Sequence, residues 1–573
     1  MGEAMEKKTH SHDKSQHSGL SRRGLLKGSG ALVAAGGIAG VTELAEAKKP
    51  DAGGQDLAFV NGKIHTMDGS NRIVSQLSIS NGRFDNVGDG IGGGGGNKRV
   101  INLRGKTVIP GLIDSHTHIV LVGNRPGYHV LLEDLFSIPD VIARYQQVSS
   151  GVPTGNFITT IGPVAAMQFP EQRLPNLSEL DAVNRPVYIQ AAQGGARTNS
   201  LGKAWFSTRG VTNIAADGTV GGGATGTTGA LLALRNEQLT DESRIRTSLG
   251  ALQYYASLGL TTHLDQGAFQ SDTPVGGIAN ENNFTMYNSF LALNRQGLLP
   301  ARLRTNFLYM DQDPNSLALS ERLKNAFQFF GDDMMKTGSI GEFVAPDPTA
   351  PISLSGSGFP PVANTANNTR WLYAAMKVAQ AGWRAECHSL SATDFQAEID
   401  GYGLVNQQFP ITDLRWVVAH VPLITLDYIN KLKALGGGLK VGWGPTRTGT
   451  KVGPPYRTIL NSGINVGYHA DGGDITVINP WLNFYTIITG KNLRGDLINE
   501  GQTLTRQETM FLATVANKWF IGEDDLGSIE VGNHADLVVL DRDYFFVADA
   551  EIPKIRSLLT VVGGNVSYDA GVL

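Results

Sequence analysis

The 573-residue sequence predicts an α/β protein, a parallel barrel of eight β/α units carrying a small β-sandwich made from both ends of the mature chain. Three observations predict it. Short apolar runs alternate with longer helix-like stretches from about residue 107 to 525; runs of alternating polarity occur near both termini; and a His-Thr-His triplet closes one of the apolar runs. A hydrophobic fraction of 41% over this length can bury a core larger than one ordinary domain needs.

Residues 1–47 read as a leader rather than as part of the fold. Ser21-Arg-Arg-Gly-Leu-Leu-Lys27 precedes the mildly apolar Ala31-Leu-Val-Ala-Ala-Gly-Gly-Ile-Ala-Gly40, and Ala45-Glu-Ala47 offers small residues to a signal peptidase. The segment resembles a twin-arginine signal peptide. That implies the twin-arginine export machinery as a partner and a periplasmic or secreted mature protein. A basic tail before an ordinary helix is the plainer alternative.

Residues 56–106 and 526–573 are expected to form the sandwich. Leu57-Ala-Phe-Val-Asn-Gly-Lys-Ile-His-Thr-Met67 and Ile73-Val-Ser-Gln-Leu-Ser-Ile-Ser-Asn-Gly-Arg83 alternate around Asn-Gly turns, as hairpin strands do. Ala535 to Asp541 and Ser557 to Val566 are runs of the same kind, and His65 and His534 belong with them, away from any central site. Gly92 to Gly96 reads as a flexible loop.

Within residues 107–525, Arg185 to Gln190, Leu260 to Leu264, Arg415 to His420 and Ile464 to Tyr468 read as barrel strands, with a Gly-, Ala- and Thr-rich insertion near 194–228. Val108-Ile-Pro-Gly-Leu-Ile113 reads as one buried strand that ends at His116-Thr117-His118. A strand puts residues i and i+2 on the same face, so both imidazoles aim at one point, as two ligands of one metal ion must. Two histidines falling two apart by chance are the bland alternative.

The phrase Val108-Ile-Pro-Gly-Leu-Ile-Asp-Ser-His-Thr-His118, with Gly527-Ser-Ile-Glu-Val-Gly-Asn-His-Ala-Asp-Leu-Val-Val-Leu-Asp541 near the other end, resembles the metal-dependent amidohydrolase superfamily. Leu258-Gly-Leu-Thr-Thr-His-Leu-Asp265 and the segment from Asn461 to Asn492 are similar to its YtcJ-like (amidohydrolase 3) branch. The resemblance implies a TIM-type (β/α)8 barrel and a site of one or two divalent ions, zinc first among them. It places metal ligands at His116, His118, His388, His420 and Asp471, and gives Asp471 the proton-transfer role, with Asp474 as its rival. The bridging ligand stays open between Glu342 and Lys336: the Gly338-Ser-Ile-Gly-Glu342 phrase favours Glu342, while a carboxylated lysine would require Lys336. His263, Arg197 and His469 are possible substrate contacts. The chain departs from its relatives at Gln193-Gly-Gly-Ala-Arg-Thr-Asn-Ser200, where a histidine often precedes the Asn-Ser pair.

Composition narrows the function further. A net charge of −4 with a pI near 6.3 offers no basic field for nucleic acid, and no 18-residue uncharged apolar run follows residue 50. Cys387 is the single cysteine, so no internal disulfide can form. A small-molecule substrate is the remaining partner. The resemblance to the amidohydrolases implies the reaction: hydrolysis of a non-peptide carbon–nitrogen bond, in an amide, formamide, carbamate or cyclic imide, by metal-activated water. A deaminase or ester hydrolase on the same centre, or a catalytically silent ligand-binding relative, are the alternatives.

Overall fold

Apolar runs too short for helices become, among the described residues, eight largely buried parallel strands. They are β1 (Leu112–Thr117), β2 (Leu260–Asp265), β3 (Arg302–Phe307), β4 (Met335–Ile340), β5 (Glu386–Ser389), β6 (Val417–His420), β7 (Gly438–Gly442) and β8 (Asn465–His469). The computed structural model describes residues 56–88, 98–192, 194–271, 278, 280–282, 285–309, 317–325, 327–342, 370–442, 444–450 and 453–573. The leader at 1–47 and the loop Gly92 to Gly96 lie outside the described residues.

Strands β1 to β4 form one sheet in the order β4-β3-β2-β1, and β5 to β8 form a second in sequence order. Isolated parallel bridges, Ile340–Ala385 and Thr117–Gly472, link the two sheets at both margins. Parallel neighbours require crossovers. Helices supply them, among others Asn288–Arg295, Leu317–Asn325, Arg370–Gln380, Ala392–Gln408, Leu426–Ala434 and Tyr456–Ser462. Ser391 shows how such a helix begins: its hydroxyl accepts from Asp394 N, and the Asp394 carboxylate accepts from Ser391 N at 2.9 Å, so two otherwise orphaned donors are satisfied.

One apolar cluster joins the outer faces of these strands to the helices, with Trp371 stacked on Tyr402 and Trp416 meeting Tyr402 edge-on within it. A smaller one, Ile113, Leu264, Ile521 and Leu526, lies under the inner face, where the helix Asn517–Ile521 packs against β1 and β8. Asn517 Nδ2 donates to the carbonyls of Ile113 and Tyr468 at 2.6 and 2.8 Å, fastening this floor to both strands.

Two further sheets share an apolar cluster that includes Leu57, Phe59, Ile79, Val108, Leu537 and Val561. The four-stranded sheet orders Arg83–Val87, Leu77–Ser80, Leu57–Val60 and Arg99–Asn102. The six-stranded sheet orders Asn565–Asp569, Ser557–Val562, Leu537–Leu540, Thr107–Pro110, Lys63–His65 and Ile73–Val74, so both chain ends meet in it. Arg302 of β3 ties this unit to the central strands through a buried bidentate pair with Asp536, at 2.8 and 2.9 Å. His65 stacks on Phe545, and His534 sits 3.2 Å from Arg83, both on this unit.

Two sequence expectations are corrected here. The run Val108 to Ile113 is not one strand: Thr107–Pro110 pairs with Leu537–Leu540, and the chain then crosses at Gly111 into β1. A Cβ at Gly111 would meet Thr261 Oγ1 at 2.2 Å, so the crossing needs glycine. Both pieces are buried on both faces, and an apolar run carries no mark of the change of sheet. The run Arg185 to Gln190 is not a central strand either. Val187–Ala191 belongs to a five-stranded sheet with Tyr128–His129, Ile158–Gly162, Ala196–Thr198 and Thr219–Val220, all inserted between β1 and β2. This excursion is longer than the expected 194–228, and it buries apolar clusters of its own, around Tyr145 and Phe169 and around Phe157 and Phe206. Locally such a strand reads like any other buried one.

Candidate metal centre

Six of the side chains singled out in the sequence come together at the carboxyl ends of the parallel strands. His116 lies near the end of β1, and His118 is the N-cap of the short helix Ile119–Gly123 that follows. Glu342 stands two residues past β4, His388 lies within β5, His420 ends β6 and Asp471 stands two residues past β8. A Cβ at Gly341 would meet Glu386 Cβ at 2.7 Å, so glycine lets the chain bearing Glu342 pass close over β5. His420 and Asp471 hold left-handed backbone, with φ of 72° and 53°. That conformation costs a non-glycine residue about 1–3 kcal/mol and gathers at functional sites. Bonds around each residue hold it: Asp471 N donates to His116 O, and Val421 N to Ser389 O, both at 3.0 Å.

The ligand-type atoms fall into two groups, each within 4.8 Å: His116, His118, Glu342 and Asp471, and Glu342, His388 and His420. Glu342 is in both. Its Oε2 lies 3.1 Å from His116 Nε2, 2.9 Å from His388 Nδ1 and 3.3 Å from His420 Nε2, while its Oε1 lies 3.5 Å from His118 Nε2. Asp471 Oδ1 is 3.3 Å from Nε2 of both His116 and His118, and its Oδ2 is 3.9 Å from His420 Nδ1.

Charge sets what this cluster accepts. Burial by itself would push the His116 and His118 pKa values down, but Glu342 and Asp471 hold both well above the ordinary imidazole value. Burial would raise the two carboxyls, yet the surrounding histidines, His388 foremost for Glu342 and His420 for Asp471, keep both well below theirs. Burial takes the His420 pKa down to about 4, against the pull of Asp471. Two buried carboxylates facing imidazole nitrogens are neutralised by two protons or by one divalent cation. His116 Nε2 and both Asp471 oxygens are buried without hydrogen-bond geometry, although Nε2 lies 3.3 Å from Asp471 Oδ1, as atoms pointed at a common centre do. His118 Nδ1 donates to the Gly267 carbonyl at 2.8 Å, which turns its Nε2 inward. The donor set suits a divalent ion bound by nitrogen and oxygen.

Glu386 was not among the residues read from the sequence, although the structure seats it under the site. Its Oε1 is 2.7 Å from His116 Nδ1, and its Oε2 pairs with Lys440 Nζ. Burial opposes its charge, but Lys440 and His116 together bring its pKa to about 2. The available signal was its spacing: Glu386 and His388 stand two residues apart, as His116 and His118 do. Asp114, also unread, clamps β1 to the chain just past β8, its Oδ1 accepting from His116 N at 3.1 Å and Ala470 N at 3.2 Å.

The other candidates fall elsewhere. Lys336 lies within β4 with Nζ 3.4 Å from Glu523, outside both groups. Alternation along the strand does not exclude it; the end of β4 at Ile340 does, since the chain reaches the centre only beyond that point. His263 packs edge-on against Tyr255, facing the helix Asp241–Ala256, with both ring nitrogens unpartnered and its pKa driven to about 3 by burial. Arg197 lies in the inserted sheet opposite Thr219. Asp474 is partly buried outside both groups, where desolvation raises its pKa against Arg125 and His118. His469 does face the centre, its ring 5.0 Å from that of His116 and 4.8 Å from that of His420.

N-substituted formamide deformylase of Arthrobacter pascens is 22% identical over 554 residues, covering 90% of this chain and 98% of its own. Among solved structures, an uncharacterized metal-dependent hydrolase from Pyrococcus horikoshii OT3 superposes with a TM-score of 0.56 at 19% identity, over 87% of this chain and 99% of that one. Atrazine chlorohydrolase TrzN from Arthrobacter aurescens TC1, complexed with zinc, superposes with a TM-score of 0.52 at 14% identity, over 90% and 95%. Identities this low carry the α/β fold alone. Residues 99–568, most of the chain and a span that includes the six converging residues, match the amidohydrolase family, and the chain belongs to it.

Proposed function

We propose that this chain, a metal-dependent hydrolase of carbon–nitrogen bonds other than peptide bonds, acts on an N-substituted amide, with formamides the first class and carbamates and cyclic imides next. The observation that carries the reading is the pair of ligand groups sharing Glu342. His116, His118 and Asp471 would hold one divalent ion, His388 and His420 a second, with Glu342 between them. Imidazole and carboxylate donors favour zinc, and the zinc complex of the structural neighbour supports that choice. A formamide substrate draws support from the deformylase that matches over nearly its whole length.

Bound in this position, a divalent ion polarises a carbonyl and lowers the pKa of water toward ~7. The remaining work belongs to the side chains. Asp471 Oδ1 faces His116 and His118, whereas Oδ2 stands 3.9 Å from His420 Nδ1. That division leaves Oδ2 to take the proton of the attacking water and deliver it to the leaving nitrogen. A formamide would be released as formate and amine. Burial of the cluster excludes bulk water and keeps these charges effective.

The wider reading has two further parts. The linked parallel sheets are read as a (β/α)8 barrel and the two terminal sheets as a sandwich; eight strands with crossover helices and the shared cluster around Leu57 and Leu537 support this. Export through the twin-arginine machinery to the periplasm or medium is supported by Arg22, Arg23 and the small residues at Ala45-Glu-Ala47. Among the described residues no helix is long and apolar enough to cross a membrane.

The test is metal analysis of the purified protein together with a turnover screen of N-formyl, N-acyl, carbamate and cyclic imide compounds. Bound divalent metal and release of amine from one of these classes are expected. Ammonia released from an amino-substituted ring, or alcohol from an ester, would move the reaction to the deaminase or esterase alternative. Absence of metal from active protein would overturn the centre itself.

A further inference from the structure

Behind His116, on the side away from Glu342 and Asp471, runs a buried polar chain that the hydrolytic reading leaves unused. Glu386 begins β5 and Lys440 is the middle residue of β7; both side chains are fully buried, and Lys440 Nζ bonds Glu386 Oε2. Asn306 of β3 adds a second donor to the same oxygen, Nδ2 to Oε2 at 3.2 Å, and donates to Gln266 Oε1 at 2.8 Å. The Asn306 amide orientation follows from its neighbours. Its Oδ1 accepts from Ser339 N at 2.8 Å, a backbone N–H that can only donate, so the nitrogen must face Glu386. With Oε2 taken by Lys440 and Asn306, Oε1 is left to His116 Nδ1 at 2.7 Å.

Burying an ammonium and a carboxylate is costly, and apolar replacements of such a pair are often neutral or stabilising. Stability alone therefore does not account for it. A neutral imidazole offers one donor and one acceptor. A carboxylate at Nδ1 demands the donor there, which leaves the Nε2 lone pair facing Glu342 and Asp471, 3.1 and 3.3 Å away. The other tautomer would donate Nε2–H to those same carboxylates and fill the space a metal ion needs. Lys440 keeps Glu386 occupied as well as charged, so that this third carboxylate does not compete as a ligand.

We propose that Glu386 is a positioning residue, with Lys440 as its counter-ion, that holds His116 in the one tautomer able to bind metal. This rests on the metal-centre reading, and it is independent of the substrate. The experiment compares wild type with the double variant Glu386→Leu, Lys440→Met, which removes the pair without stranding either charge. Zinc affinity is read by competition with a chromogenic chelator, and folding by the thermal midpoint. The expected result is a variant that melts close to wild type yet binds zinc about 10–100-fold more weakly, the range for loss of a ligand's orienting partner. A variant that melts and binds zinc as the wild type does would overturn the proposal. Should the double variant fail to fold, Glu386→Asp decides: it keeps the charge beside Lys440 and draws the carboxylate back from His116 by one methylene. Weakened zinc binding supports the proposal, and wild-type affinity overturns it. A wild type that binds no zinc in the same assay points instead to failure of the metal centre.

Discussion

Glu342→Gln is the substitution that bears most directly on the centre. Glu342 is 3% exposed and is the one side chain shared by both ligand groups. Glutamine keeps the shape and one oxygen but removes a unit of negative charge. In a protein interior with an effective dielectric near 20, two unit charges about 4 Å apart interact by about 4 kcal/mol, and a divalent partner doubles that to about 8 kcal/mol as an upper bound. The lower bound comes from residues that only orient a ligand, whose loss already costs about 10–100-fold in metal affinity. A direct ligand should exceed this, so the expected loss is at least about 100-fold, or about 2.8 kcal/mol at 1.4 kcal/mol per decade. The assay is metal per protein by mass spectrometry after exposure to graded chelator, with the hydrolysis rate measured on the same samples. Lys336→Met is the control, expected to keep its metal because Lys336 faces Glu523. Wild-type metal retention in Glu342→Gln, with loss in Lys336→Met, would refute the assignment of the shared ligand.

Three more outcomes follow from the same physical chemistry. Arg22→Lys with Arg23→Lys should leave an unprocessed precursor in the cytoplasm, detected by fractionation and intact mass; normal processing and location would refute the export reading. Asp536→Ala strands Arg302, whose side chain is 1% exposed, and should lower unfolding free energy by about 3–5 kcal/mol in urea titrations; a change under about 1 kcal/mol would contradict the buried pair. Hydrogen bonding to Arg457 first, and to Thr505 next, takes the Glu508 pKa from 4.5 down to about 2. A depressed folded-state pKa stabilises above the unfolded value, so the contribution is present above about pH 4.5 and fades as pH falls toward 2. Solvent at this partly exposed pair screens it to about 1 kcal/mol. Melts of wild type and Glu508→Gln should therefore differ at neutral pH and converge below pH 4.5, and a gap constant across that range would refute the linkage.

Some of this protein is written locally. His116 and His118 are legible because their two-residue spacing at the end of a strand aims both at one point, although His118 itself lies just past β1. The hairpin runs at both ends are legible through the same two-residue repeat, and the resemblance of Val108 to His118 and of Gly527 to Asp541 to known amidohydrolases points to the remaining ligands in chain order. The same repeat could have spoken on His263: Leu264 lies in the inner apolar cluster, so its neighbour must face the helices. Tertiary structure decided the rest. Lys336 and Glu342 are six residues apart and share a parity, so alternation cannot separate them; where β4 ends, and how the chain bends at Gly341 over β5, does. Val187–Ala191 and the central strands carry the same buried pattern, and only pairing partners tell them apart. Glu386 and Lys440 are 54 residues apart, and each alone reads as an ordinary surface charge. The sequence determines which residues are apolar, charged or able to bind metal over a few neighbouring positions. Which distant groups meet is set by strand order and register, because burial makes their charges matter only once the sheets have brought them together.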